Sequence, residues 1–215
     1  MKLKTKQTNI VMLSGDIIKN RNLDLRVLLV ISLISNVVDS SKKGKNKRFC
    51  SLSKIVNNLN NISDILNMRV TVITKKIKQM ADIGVVNGSS INMTKVNLEF
   101  TYGEGEFITI PKEIVERLLE LRLTNGQLRL YIHLCWLCRD GEKQITDSYL
   151  LKCLGLGSSS RTQLQRLTKA LEDAELIETR IEYYSTYSKD EFLEQQTKRK
   201  KIYSLIKHCA KEELS

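Results

Sequence analysis

Between Ile145 and Ile177 the sequence leaves room for few architectures. Leu150, Leu151 and Leu154 set out a short helical pattern that stops at Gly155 and Gly157, residues that tolerate the positive φ of a tight turn. Ser158, Ser159 and Ser160 offer N-caps for a second helix. In that helix Leu164, Leu167, Leu171 and Ala174 recur at steps of three, four and three, one apolar stripe on a helical period. Its other face carries Arg161, Thr162, Gln165, Arg166 and Lys169, side chains that reach phosphates or base edges. Leu176 and Ile177 then open a β-like run. The spacing predicts helix, glycine turn, basic helix and strand, in that order.

That order resembles the winged helix-turn-helix class of DNA-binding domains. The resemblance implies a second helix that enters a DNA groove and a β-wing that holds phosphates beside it. It implies an activity and leaves the biological role open.

A weaker copy of the pattern precedes it. Ser51 to Leu59 reads as a capped short helix, followed by an Asn-rich connection with Asn57, Asn58, Asn60 and Asn61. Val70, Ile73, Ile77 and Met80 step by three, four and three, and Gly84-Val85-Val86 leads into a strand. The opposite face shows Arg69, Thr71, Thr74, Lys75, Lys78 and Gln79. Setting Gly84-Val85-Val86 over Glu175-Leu176-Ile177 puts Ile73 over Leu164, Lys75 over Arg166, Lys78 over Lys169 and Met80 over Leu171. One duplication at this separation predicts a two-domain array and not a solenoid. Asn87-Gly88 is a strong two-residue hairpin signal, placed where a wing should turn.

Charge supports a polyanionic partner. The net charge is +11, and residues 1–100 hold 17 Lys/Arg against 6 Asp/Glu, whereas residues 101–215 hold 18 of each. A basic half joined to a neutral half points to nucleic acid before membrane, because no strongly amphipathic aromatic helix is evident. The bland alternative is a Lys-rich surface that serves solubility. Ser40 to Arg48 carries five basic residues in nine, readable as an arm that neutralises phosphates or as a solvated loop. Five cysteines with irregular spacing argue against a disulfide framework and for a reducing cytoplasm. The longest apolar run, Val27 to Ile34, is too short to span a bilayer, and no signal peptide is expected.

Elsewhere the pattern predicts a short strand at Ile10–Leu13, a helix over Leu23–Val38, and a hairpin over Asn92–Ile110 turning at Gly103-Glu-Gly105. Pro111 suits a first helical turn, with Ile114, Val115, Leu118, Leu119 and Leu121 as the apolar face. A buried helix follows from Leu123, ending near Asp140-Gly141. Within Phe107–Leu137, the strand, Ile110-Pro-Lys-Glu-Ile114, and a Leu-Thr-x-x-x-Leu-x-Leu-Tyr run ahead of a helix-turn-helix resemble plasmid and phage replication initiators of Gram-positive bacteria. The match covers about a third of the chain, and it departs from that family's Leu-Ser-x-x-Ala-Lys run, with Gly126 and Gln127 near the Ala-Lys positions. The resemblance implies two winged-helix domains on repeated origin sites, one of them also serving dimerisation.

The last wing is long. Ile177 to Tyr187 and Lys198 to Ile206 read as its strands, with an acidic tip at Asp190, Glu191 and Glu194. Lys198, Arg199, Lys200 and Lys201 form the densest basic cluster of the second half, suited to backbone contact or to a solvated strand edge. Cys135-Trp-Leu-Cys138 has metal-like spacing without a second pair and reads as core. No phosphate-loop lysine and no defensible carboxylate pair is found, so neither enzyme activity nor a cofactor or metal is expected.

The sequence therefore predicts a mainly α protein with small β-wings (α+β), two winged helix-turn-helix domains in tandem at residues 1–105 and 106–215. The DNA-binding residues expected are Arg69, Thr71, Lys75, Lys78, Gln79, Ser160, Arg161, Thr162, Gln165, Arg166, Lys169, Lys198, Arg199 and Lys200. The partners implied are double-stranded DNA, a second copy of the chain and host replication proteins, in the cytoplasm and away from membranes. A transcriptional repressor or partition protein acting as a dimer, and a scaffold without DNA binding, are the alternative roles.

Overall fold

The computed structural model describes residues 10–14, 18, 20–34, 36–38, 47–51, 59–82, 97–100, 107–187 and 195–206. These residues are mainly helical with small antiparallel sheets, an α+β fold. No described helix is long and apolar enough to cross a membrane. The chain divides into two compact units, Met1–Leu128 and Arg129–Ser215. The division therefore lies later than the 105/106 boundary that the sequence suggests.

Strand pairing explains the later boundary. In the first unit, β1 (Ile10–Ser14) pairs antiparallel with β5 (Phe107–Pro111), Val11 opposite Ile110 and Leu13 opposite Ile108. All four of these side chains are buried, so residues just past 105 complete a core begun at residue 11. The hairpin expected over Asn92–Ile110 does not form. Its first arm, β4 (Asn97–Phe100), pairs instead with β3 (Lys47–Ser51), which also pairs with β2 (Asn36–Val38).

Helix α1 covers Leu25–Ile34 and stops short of the expected Val38, because residues 36–38 leave it as strand β2. Asp24 caps it, its carboxylate accepting from the Arg26 amide at 3.1 Å. Helix α2 (Leu59–Leu66) takes in Asn60 and Asn61, which the sequence suggests are connection. Ile62 and Leu66 bury one side of that helix while both asparagines face water. Helix α3 is Val70–Asp82. Ser51 lies in β3 and not in a helix, while residues 52–58 and the Asn87-Gly88 turn fall outside the described residues.

Helix α4 (Lys112–Glu120) starts at Pro111, its N-cap, and buries Val115, Leu118 and Leu119. Leu121, expected on that apolar face, follows the helix as its C-cap and is exposed. Helix α5 (Asn125–Leu137) opens with a reciprocal cap: the Thr124 amide donates to Gln127 Oε1 at 2.7 Å and the Gln127 amide to Thr124 Oγ1 at 3.4 Å. Gln127 thus has a structural role at the position where it departs from the initiator pattern. Asn125 fastens the same end to the start of α1, its amide nitrogen donating to Leu23 O at 2.8 Å and its oxygen accepting from Leu25 N at 2.7 Å.

The second unit runs β6 (Lys143–Gln144), α6 (Asp147–Leu154), a single 3-10 turn at Ser158–Ser160, α7 (Arg161–Asp173), β7 (Ile177–Tyr187) and β8 (Gln195–Leu205). Its sheet has the order β6-β8-β7. Leu150, Leu151, Leu154, Leu164, Leu171, Leu176, Ile177 and the wholly buried Tyr203 make the core. Each of these apolar side chains contributes about 1.5–3 kcal/mol when withdrawn from water. Cys138 is buried here, its thiol donating to Tyr203 O at 3.6 Å, and burial pushes the Cys135 thiol up to about 12, against a hydrogen bond from Tyr131. Cys138 is a core residue and Cys135 is half-buried, and no group of His, Cys, Asp or Glu that could hold a metal occurs among the described residues.

Candidate nucleic-acid interface

Local chemistry fixes the two helices of the second unit before any ligand is considered. Thr146 caps α6, Oγ1 accepting from the Tyr149 amide at 3.3 Å. Gly155 ends it in the left-handed region at φ 61°, and the Leu156 amide reaches back to Leu151 O at 2.7 Å. Gly157, which could tolerate a positive φ, sits at −72° and does not use it. Ser160 does not cap α7 through its side chain as expected; residues 158–160 close a 3-10 turn of their own instead.

In α7 the buried residues are Leu164, Thr168 and Leu171. The core stripe is thus rotated from the one the sequence suggests: Leu167 is half-buried, while Thr168 is 2% exposed. The Thr168 hydroxyl lies beside the Tyr203 phenol, and neither oxygen has a hydrogen bond of regular geometry. Burial, foremost, drives the Tyr203 pKa well above the ordinary tyrosine value.

The turned-out face of α7 matches expectation. Arg161, Thr162, Gln165, Arg166 and Lys169 are all exposed, and Ser160 is half-buried. Arg161, Arg166 and Lys169 carry no ion pair among the described residues.

The hairpin supplies the second half of the site. Its register sets Ile181 opposite Lys201 and Tyr183 opposite Arg199, so side-chain alternation puts these four on the face that continues from buried Tyr203. Lys201 holds its ammonium 4.9 Å from the Tyr203 ring centroid. A cleft of about 350 Å³ opens there, lined by Arg161 and Gln165 of α7, Arg199, Lys200 and Lys201 of β8, Ile181 of β7, and the β6–α6 corner from Gln144 to Ser148. Asp147 is the one carboxylate in that lining.

On the opposite face of the hairpin Arg180, Glu182 and Lys200 are satisfied together with Glu142. Arg180 makes two contacts to Glu142, at 2.7 and 2.9 Å, and one to Glu182 at 3.1 Å; Lys200 reaches Glu182 at 2.8 Å. The hydrogen bond from Lys200, with the neighbouring positive charges, holds Glu182 below the usual carboxylate range. Arg199, by contrast, is exposed and carries no ion pair among the described residues. Lys198 pairs through its backbone with Tyr184, its side chain lying outside the described ones.

In the first unit Thr71, Lys75, Lys78 and Gln79 share the exposed face of α3, and Arg69 is exposed just before the helix. Thr74 is half-buried, its hydroxyl donating back to Val70 O at 2.9 Å. Lys76 turns the other way, to the Asp24 carboxylate at 2.8 Å.

Two contributors were not singled out in the sequence. Lys201 was named only within a basic cluster; strand alternation separates it, with Arg199, from Lys198 and Lys200. Asp24, which orients Lys76, has a local partner in Arg26, but its pairing with Lys76 joins two helices and leaves no mark along the chain. No protein-family model, curated protein or solved structure matches the chain.

Proposed function

We propose that this chain is a sequence-specific DNA-binding protein built of two winged helix-turn-helix domains in tandem, with α3 and α7 offered to the major groove. The observation that carries this reading is the cleft of the second unit. Arg161 and Gln165 from a helix face meet Arg199 and Lys201 from a hairpin there. A groove-reading helix flanked by phosphate-holding cations needs that juxtaposition. The exposed Thr71, Lys75, Lys78 and Gln79 of α3 support a second, similar contact.

The strand, proline-started helix and buried helix over Phe107–Leu137 favour a replication initiator acting at repeated sites. The reading requires no cofactor and no catalysis. Binding of the purified chain to random duplex DNA, titrated between low and physiological salt, tests it. A steep fall, with a log–log slope on the order of several phosphate contacts, is expected. Flat or absent binding would leave the basic surface to another partner and refute the proposal.

A further inference from the structure

We infer that the inner face of the β7–β8 hairpin is a stacking platform for an unpaired DNA strand at the edge of the bound duplex, with Tyr183 and Ile181 taking bases and Arg199 and Lys201 taking phosphates. The inference rests on the DNA-binding reading and specifies the ligand of part of that site.

A regular duplex backbone presents phosphates and sugars, which reward cations. It has nothing to offer a large apolar side chain held in water. Yet Tyr183 is 70% and Ile181 50% exposed on the same strand face. Both stand directly opposite a cation, Arg199 for Tyr183 and Lys201 for Ile181. The face thus alternates apolar and positive across the hairpin over two successive pairs of like side-chain orientation. An unpaired strand has the complementary make-up, since every base exposes a π-face and every linkage a negative charge.

The other hairpin face differs in its charges, although there too an exposed tyrosine, Tyr184, stands opposite a basic residue, Lys198. There Arg180, Glu182 and Lys200 neutralise one another together with Glu142. Among the described residues Arg199 and Lys201 of the inner face make no ion pair, so a polyanion fits this face better than an acidic–basic mosaic on another protein would. At its base this face joins the cleft next to Arg161 and Gln165, which places an unpaired strand beside the duplex that α7 would read.

Fluorescence anisotropy at one fixed salt concentration tests this with three probes: a blunt duplex, the same duplex with a single-stranded thymine tail, and that duplex with an abasic tail. The thymine tail should raise affinity about tenfold, the usual size of one base stack on an aromatic ring. Tyr183→Ala should abolish that gain, while Tyr183→Phe keeps it. Because the ring is exposed, the thermal melt of Tyr183→Ala should match that of the parent.

Blunt-duplex binding with no gain from the thymine tail would overturn the platform alone. So would an equal gain from the abasic tail, retention of the gain by Tyr183→Ala, or loss of self-association and not of tail binding in that variant. Failure to bind any of the three probes would overturn the DNA-binding reading itself.

Discussion

The α2–α3 and α6–α7 pairs end their first helices in the same way but hold their cations differently. Asn67 at φ 48° closes α2, with the Met68 amide donating to Ser63 O at 3.0 Å; Gly155 at φ 61° closes α6, with Leu156 donating to Leu151 O at 2.7 Å. Both are the left-handed helix ending that aims the next segment back across the first. The electrostatics then diverge. In the first unit one lysine of the second helix, Lys76, turns inward to Asp24, the residue that also caps α1. In the second unit Arg161, Arg166 and Lys169 of α7 make no ion pair among the described residues, and ion pairs instead fix the outer face of the hairpin. One frame thus uses charge to seat its helix, the other to brace its wing. Surface charge alone does not reveal which lysines remain for a ligand.

The sharpest way to break this contrast is to remove Asp24, which is 6% exposed. Asp24→Ala deletes a cap and leaves Lys76 facing a site without its carboxylate, a loss of about 2–4 kcal/mol from the first unit. Urea unfolding should show it; a loss below about 0.5 kcal/mol, the level of an ordinary surface substitution, would mean that the pair is ornamental. The same carboxylate sets an acid limit. Burial pushes its pKa up, but hydrogen bonds from Lys76 and Arg26 and their charges outweigh that and leave it below the ordinary 3.8. A carboxylate depressed in the native state stabilises fully above its unfolded value and loses that contribution as pH falls through the native one. The parent should therefore lose stability below about pH 4, and Asp24→Asn, which keeps a capping oxygen, should lose less over that window.

Binding separates the two exposed helix faces next. Arg166→Ala should cost about 1–3 kcal/mol on a cognate site if its guanidinium reads a base, with the discrimination at one position relaxed. Unchanged affinity would remove Arg166 from the contact set. Lys75→Ala and Lys78→Ala in α3 should behave otherwise. Each should weaken binding evenly across sequences and lower the salt slope by about 1, the signature of a phosphate contact. If Lys75→Ala instead changed site preference, Lys75 would be a base reader and not a phosphate contact.

Local patterns were legible where physics is local. The stop at Gly155, the exposed set on α7, and β7 as a strand over Ile177–Tyr187 all follow from nearest neighbours along the chain. What could not be read depends on distant partners. Nothing in Asn97–Phe100 tells that its backbone finds β3 and not Phe107–Ile110, and nothing near Phe107 names β1. Thr168 is buried because the hairpin places Tyr203 against α7, which rotates the stripe away from Leu167. The inner face of the wing became visible only once the register set Tyr183 opposite Arg199. Domain limits suffered likewise, since a strand pair closing over the whole first unit leaves no mark at residue 105.

The two turns offer the mildest and cleanest comparison. Gly155 pays no steric penalty at φ 61°, whereas Asn67 adopts φ 48° with a Cβ attached. Gly155→Ala should cost about 1 kcal/mol, because alanine must enter the left-handed region without asparagine's local hydrogen bonding. Asn67→Gly should shift stability by only a few tenths of a kcal/mol in either direction, relief of backbone strain being offset by greater freedom of the unfolded chain. Gly157→Ala is the control: at φ −72°, with the nearest atom to an added Cβ the Ser159 Oγ at 3.8 Å, it has neither strain nor collision to meet. Equal effects at Gly155 and Gly157 would show that the left-handed ending does not govern the turn, and the parallel with Asn67 would lose its basis.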